Sequence, residues 1–186
     1  MKVCLVSRSD GNGGAFKAAY RLHQGLLDAE VNSHFVVGEK TRDDHTILSP
    51  ISKLAQETSR FTPYFDRLPL RLYPQRRSKP FSLQWFPDRV MSQINPITPD
   101  IINLHWINAG YLQIETLAKL KKPLVWTLHD MWGFTGGCHY AGDCEGYKNN
   151  CGHCPQLGSN RQWDLSRWVW QRKAKAWQSL DLTIVT

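Results

Sequence analysis

No run of about twenty apolar residues occurs in the sequence, so nothing in it reads as a bilayer-spanning helix. The start, Met1–Gly14, has one short apolar run before it turns into a glycine loop, too little for the core of a signal peptide. A cytoplasmic address is therefore expected, with peripheral contact at the inner face of the membrane as an extension of it. Acid is scarce: 16 Asp and Glu face 23 Lys and Arg, for a net charge of +7. That excess suits a solvated basic surface, or an anionic partner such as a nucleotide diphosphate or an acidic lipid surface. Nucleic acid is disfavoured, because no zinc-finger, RNP or helix-turn-helix signature is present. Internal repeats and low-complexity segments are lacking too. What remains is a globular composition, 41% hydrophobic and 21% charged, over 186 residues, enough for one domain with a sizeable core.

Apolar strand-like runs alternate with helical spacing. "KVCLVS" (Lys2–Ser7) predicts a buried parallel strand, "AFKAAYRLHQGLLDAE" (Ala15–Glu30) a helix, and "SHFVVGEK" a second strand. The pattern resumes with a strand over Asp100–Asn108, a helix over "YLQIETLAKLKK" and a strand over Pro123–Asp130. A helix over Asp164–Leu180 follows, with Leu165, Trp168, Val169 and Trp177 toward one side, and "DLTIVT" reads as a last strand. The fold class that results is α/β: a Rossmann-like, doubly wound, mainly parallel sheet flanked by helices, with a cysteine-rich loop inserted. Between Pro50 and Pro99 the signals conflict. "ISKLAQETSRFTPYFDRL" has helical character that Pro63 limits, and "PFSLQWFPDRV" suggests a strand edge or a binding loop. "RLPLRLYPQRRSKP" (Arg67–Pro80) interleaves arginine with leucine and tyrosine and holds no acid, a composition suited to a membrane surface.

Three places carry chemistry. The loop Ser9–Ala15, "SDGNGGA", follows a strand and opens a helix, where backbone N–H groups face outward. It satisfies neither the dinucleotide fingerprint nor the P-loop pattern, so a phosphate or sugar contact and a plain tight turn both remain open. Asp10, Gly13 and Gly14 are the candidates there. His105 and His129 fall at the carboxyl ends of their predicted strands, the edge at which open α/β sheets bind ligands. Trp106 and Asp130 stand beside them; Asp130 suits a cap, an imidazole partner or a sugar contact. The third place is Gly136–Pro155, where Cys138, Cys144, Cys151 and Cys154 are spaced C-x5-C-x6-C-x2-C, with His139 and His153 among them. A tetrahedral structural Zn²⁺ fits this spacing best, with a disulfide pair, an iron–sulfur cluster and unligated thiols as alternatives. Four sulfur ligands leave no open position for catalysis. Cys4, on the first strand, is expected to be a buried free thiol.

"SDGNGGAFKAAYRLHQGL", "PDIINLHWINAGYL", "LVWTLHDMWGFTGGCHYAGDCEGYKNNCGHCPQL" and "LTIVT" together resemble the N-terminal half of a family 4 glycosyltransferase of the bacterial polysaccharide-building kind. The cysteine-loop stretch is the most specific part, and Pro50–Phe86 matches poorly. The resemblance implies a GT-B architecture, in which two Rossmann-like halves face each other across a cleft. It implies a retaining transfer of sugar from a nucleotide diphosphate donor to a glycan or lipid-linked acceptor. By position, Gly13 and Gly14 would lie near the donor diphosphate, and His105 and His129 would be the catalytic-side histidines, His105 facing the transferred sugar. His105 is expected to matter more for turnover than for folding. Such enzymes carry an E-x7-E pair in a C-terminal donor-binding half, which residues 1–186 do not contain, so the chain alone is expected to be inactive. Two other classes compete: a non-catalytic nucleotide- or glycan-binding module, and a zinc-dependent adaptor.

Overall fold

A computed structural model describes residues 1–11, 13–50 and 52–186; Asn12 of the glycine loop and Ile51 lie outside the described residues. Strand β1 (Lys2–Ser9) is buried along nearly its whole length because it has a neighbour on each side. It pairs in parallel with β2 (Asn32–Glu39) and with β4 (Ile101–Leu104). Helix α1 (Gly14–Asp28) makes the first crossover. The remaining strands are β3 (Ile47–Leu48), β5 (Leu124–Thr127) and β6 (Leu182–Val185), and the order is β3-β2-β1-β4-β5-β6, all pairs parallel. That order reverses direction between β1 and β4, as in a doubly wound dinucleotide-type fold. The predicted fold class is the observed one.

Side chains of β1 alternate between two cores. Val3 and Leu5 point to the α1 face and join Ala19, Phe35, Val37 and Ile47. Cys4 and Val6 point the other way, into a larger core with Val36, Leu104, Ile107, Leu112 and Trp126. Cys4 is a buried free thiol, as expected. Each fully buried aliphatic side chain contributes about 1.5–3 kcal/mol, so the larger core dominates the stability of the side that carries the cysteine loop.

Local structure departs from the sequence expectation in four places. The segment predicted as a helix after β4 is a 3-10 turn, Ile114–Lys119. Asp88 holds its start, with Oδ2 accepting from Gln113 N at 2.7 Å and Thr116 Oγ1 at 2.6 Å, and Pro123 stops it at the other end. Helix α2 (Lys53–Arg67) runs straight through Pro63. Proline has no N–H for the Ser59 carbonyl, a defect that ordinarily costs about 3 kcal/mol. Here Arg8 Nη2 at 3.0 Å and Thr62 Oγ1 at 2.8 Å donate to that carbonyl instead. Helix α4 (Leu165–Trp177) buries Val169 but turns Trp168 outward, 39% exposed, and turns Lys173 inward. The Lys173 ammonium lies 3.4 Å from the centre of the Trp132 ring and donates to the carbonyls of Trp132 and Thr135, which end a turn of the cysteine-loop segment. Lastly, "PFSLQWFPDRV" forms no continuous edge strand. Phe81 forms an isolated antiparallel bridge with Cys138, and the stretch is tied down by Asp66 of α2, which accepts from Leu83 N and Gln84 N. A short helix, α3 (Val90–Ile94), then leads toward β4.

Candidate functional site

The carboxyl ends of β1 and β4 meet at the switch in strand order, and β5 ends beside them. His105 follows directly on β4, with its N–H donating to Val6 O at 3.0 Å, while Trp126 Nε1 of β5 donates to the His105 carbonyl at 3.2 Å. The backbone on both sides of His105 is therefore pinned to its neighbouring strands. His129 comes just after β5. The two imidazoles are stacked, ring centres 5.3 Å apart, and share a hydrogen bond of 3.0 Å between His105 Nδ1 and His129 Nε2. His105 is only 3% exposed, and its Nε2 is buried with no hydrogen-bond partner among the described residues. His129 is half-buried and is the member that reaches solvent.

Burial, with His129 as a secondary cause, pushes the His105 pKa down to about 4. His129 is also lowered by burial, against the pull of Asp130. A pair held this way stays neutral at physiological pH. It can pass or share a hydrogen bond without carrying a charge into the cleft.

Asp130 does not point at that opening. Oδ1 accepts from Trp132 N at 2.8 Å, and Oδ2 accepts from Trp106 Nε1 at 2.9 Å and from His139 Nδ1 at 2.6 Å. Burial alone would raise its pKa, but the hydrogen bond and charge of His139 outweigh it and keep the carboxyl below its usual range. The chain of contacts continues through His139 Nε2 to Ser82 Oγ at 2.9 Å. Asp130 thus serves as cap and imidazole partner, two of the roles its sequence position allowed. Trp106 carries the network to the other side of the switch, its ring meeting Phe16 of α1 edge-on at 5.7 Å.

At the first loop, Gly13 caps α1 with extended backbone and no side-chain cap bond, and no acid lies in the first turn. Among the described residues, the α1 N-terminus thus has no side-chain acceptor. Gly13 has a steric reason to be glycine: a Cβ there would lie 3.1 Å from the Phe16 ring. Gly14 has open space around it. Asp10 is fully buried, and its carboxylate accepts from Thr41 N, Thr41 Oγ1 and Arg42 N at 2.7–2.9 Å. It fastens the end of β1 to the loop after β2 and frames the site from behind.

The cysteine loop wraps the N-terminus of α4. Asp164 caps that helix through Ser166 N and Arg167 N, and its other oxygen accepts from Cys154 N at 3.0 Å. Asn150, Cys151, Gly152 and His153 all have positive φ, a tight reversal that brings Cys151 back toward Gly136. All four cysteines are free thiols, Cys138 and Cys154 buried and the others half-buried. Burial pushes Cys151 up to about 12 and Cys154 up to about 11, and neighbouring cysteines add to both; Cys138, Cys144 and Cys154 all act on Cys151. Four soft donors in one loop match the donor chemistry of a structural zinc site. As they stand, no three His, Cys, Asp or Glu side chains among the described residues are arranged around a common metal position.

His139, Ser82 and Lys173 were not legible as parts of this region. His139 stood out only as a histidine among cysteines. Lys173 sits in a helical pattern whose apolar count pointed to Trp168 instead.

A six-stranded parallel sheet flanked by helices, with a histidine pair at the switch in strand order, is a Rossmann-like α/β fold. The chain belongs to glycosyltransferase family 4: the family described as Glycosyltransferase Family 4 matches residues 12–186. It is 28% identical over 157 residues to "Putative colanic acid biosynthesis glycosyl transferase WcaC" of Escherichia coli (strain K12), covering 79% of this chain and 38% of that protein. The chain thus spans well under half the length of that relative. No solved structure gives a significant match. No helix among the described residues is long and apolar enough to cross a membrane.

Proposed function

We propose that these residues form the acceptor-side half of a retaining glycosyltransferase that moves a sugar from a nucleotide diphosphate donor to a glycan or lipid-linked acceptor. The observation that carries this reading is the neutral His105–His129 pair at the switch in strand order, beside the uncapped start of α1. Backbone N–H groups at a helix start favour the diphosphate and the charge that grows on it as the sugar leaves. His129 presents a hydrogen-bonding edge to a sugar hydroxyl, and His105 fixes its orientation from behind. Trp106, with its N–H committed to Asp130, offers a ring face against which a sugar can lie. Transfer then depends on holding donor and acceptor in line. Likeness to a protein named for colanic acid biosynthesis favours a growing polysaccharide as the acceptor.

Half of a cleft does not hold both substrates, so activity is expected only when these residues are joined to a donor-binding half. Labelled nucleotide sugars and candidate acceptor glycans would be incubated with the 186-residue chain and with a chain extended by such a half. Transfer by the extended protein alone is expected. Turnover by the short chain at rates ordinary for an enzyme would refute the acceptor-side assignment.

The same reading gives the cysteine loop a structural Zn²⁺ held by Cys138, Cys144, Cys151 and Cys154. A bound cation would favour thiolates over the thiols that burial otherwise maintains. Its role is to brace the wall that carries His139 and Asp130. Metal analysis of protein prepared without added metal should find about one zinc per chain. Chelation should loosen residues 133–156 while the sheet persists on its own core. Folded, reduced, metal-free protein would remove zinc from the account.

A further inference from the structure

Helix α2 is built inside out. Its inward face is polar: Ser59 meets Arg8, Asp66 accepts from the backbone of residues 83 and 84, and the buried Thr62 donates to the Ser59 carbonyl. Beneath that face lies a cavity of about 920 Å³ lined by Thr58, Ser59 and Thr62 on the helix side and by Leu48, Ile97 and Tyr111 opposite. The outward face is apolar. Leu54, Phe61 and Phe65, then Leu68 and Leu72 in the 3-10 turn that follows, fall at helical spacing and are 42–78% exposed. Tyr64, 73% exposed, flanks them, and Phe65 stacks on Phe86 at 5.0 Å to widen the patch. A soluble surface helix ordinarily turns its apolar stripe to the core. This one turns it to solvent, over five turns of chain.

Charge runs beside the stripe. Arg60, Arg67 and Arg71 are exposed at the matching spacing, and Arg76, Arg77 and Lys79 are exposed in the segment after it. Between Thr58 and Pro80 the single acid is Asp66, which is buried and faces inward. One exposed acid, Glu57, pairs with Arg60 at 3.4 Å, and the rest of the border is cationic. An apolar stripe with such a border matches a lipid interface, where side chains enter the acyl boundary and guanidinium groups meet phosphates.

We propose that α2 and the 3-10 turn Leu68–Leu72 dock the protein on an anionic bilayer surface, with Leu54, Phe61, Phe65, Leu68 and Leu72 inserted and Arg60, Arg67 and Arg71 on the headgroups. The contact thus extends from the start of the basic segment Arg67–Pro80, which composition alone singles out, back along the α2 face. It does not depend on the glycosyl-transfer reading, and its test uses no donor sugar.

The test is flotation of the 186-residue chain with vesicles of phosphatidylcholine alone or mixed with phosphatidylglycerol. Binding is expected to the anionic vesicles only, and it should weaken as salt rises. Phe61→Ser and Leu72→Ser should each weaken it at least about tenfold, from the apolar area withdrawn. Arg67→Gln and Arg71→Gln should each weaken it about fivefold. These side chains are exposed, so thermal midpoints should hold, and Lys121→Gln with Lys122→Gln, exposed elsewhere, should leave binding unchanged. Equal binding to neutral vesicles, or none to either, would overturn the proposal. So would a self-association abolished by Phe61→Ser, or nucleic acid binding in place of vesicle binding.

Discussion

Asp130→Ala is expected to cost about 3–5 kcal/mol of stability, because losing one shared acceptor leaves several donors unpaired at about 1–3 kcal/mol for each buried one. Three donors lose their acceptor at once: Trp132 N, Trp106 Nε1 and His139 Nδ1. Two of them have no ready access to water, because His139 is 2% exposed and Trp132 is 1% exposed. A domain of this size is stable by only about 5–15 kcal/mol, so the loss is a large fraction of the whole. Asp130→Asn should fall between wild type and Ala. Its one oxygen still serves a donor, and a change of tautomer at His139 lets that ring accept from the amide. Denaturant midpoints for the three proteins provide the measurement. A midpoint for Asp130→Ala within about 0.5 kcal/mol of wild type, the range of ordinary surface changes, would mean that the network carries little of the fold.

The main sheet was readable because parallel strands buried on both faces leave continuous apolar runs, and β1, β2, β4 and β5 all do so. The two-residue β3 leaves no such run. Its Ile47 and Leu48 are too few to show a period, and only pairing with Phe35 and Val36 makes them a strand. Helix α2 was obscured by Pro63, because the compensating donor, Arg8, is 51 residues away along the chain. The same distance effect hid the site's support. His105 and His129 were visible from their places at strand ends, yet their mutual hydrogen bond, and the fact that His129 rather than His105 reaches solvent, are tertiary facts. Asp10 and Asp130 stood where ligand contacts are common. Their carboxylates went to backbone and indole donors instead, because a buried carboxylate among unpaired N–H groups satisfies both sides.

The histidine pair decides between a functional edge and a buried structural contact. In a chain extended by a donor-binding half, His129→Ala should lower turnover per folded molecule about 100-fold, the scale of losing one well-placed hydrogen-bonding group, and should cost about 1–3 kcal/mol because the buried His105 Nδ1 loses its partner. His105→Ala should lower turnover comparably and also cost about 1–3 kcal/mol, since it opens a buried space and takes the partner from His129 Nε2. A turnover effect of about two orders of magnitude in both variants, beside a modest stability cost in each, is the pattern the geometry requires. The most direct measurement is turnover per folded molecule for His129→Ala beside its denaturant midpoint. A fall of about two orders of magnitude with a stability loss of no more than about 3 kcal/mol is the predicted result. Near-normal turnover with a collapsed midpoint would contradict it and leave the pair a structural contact.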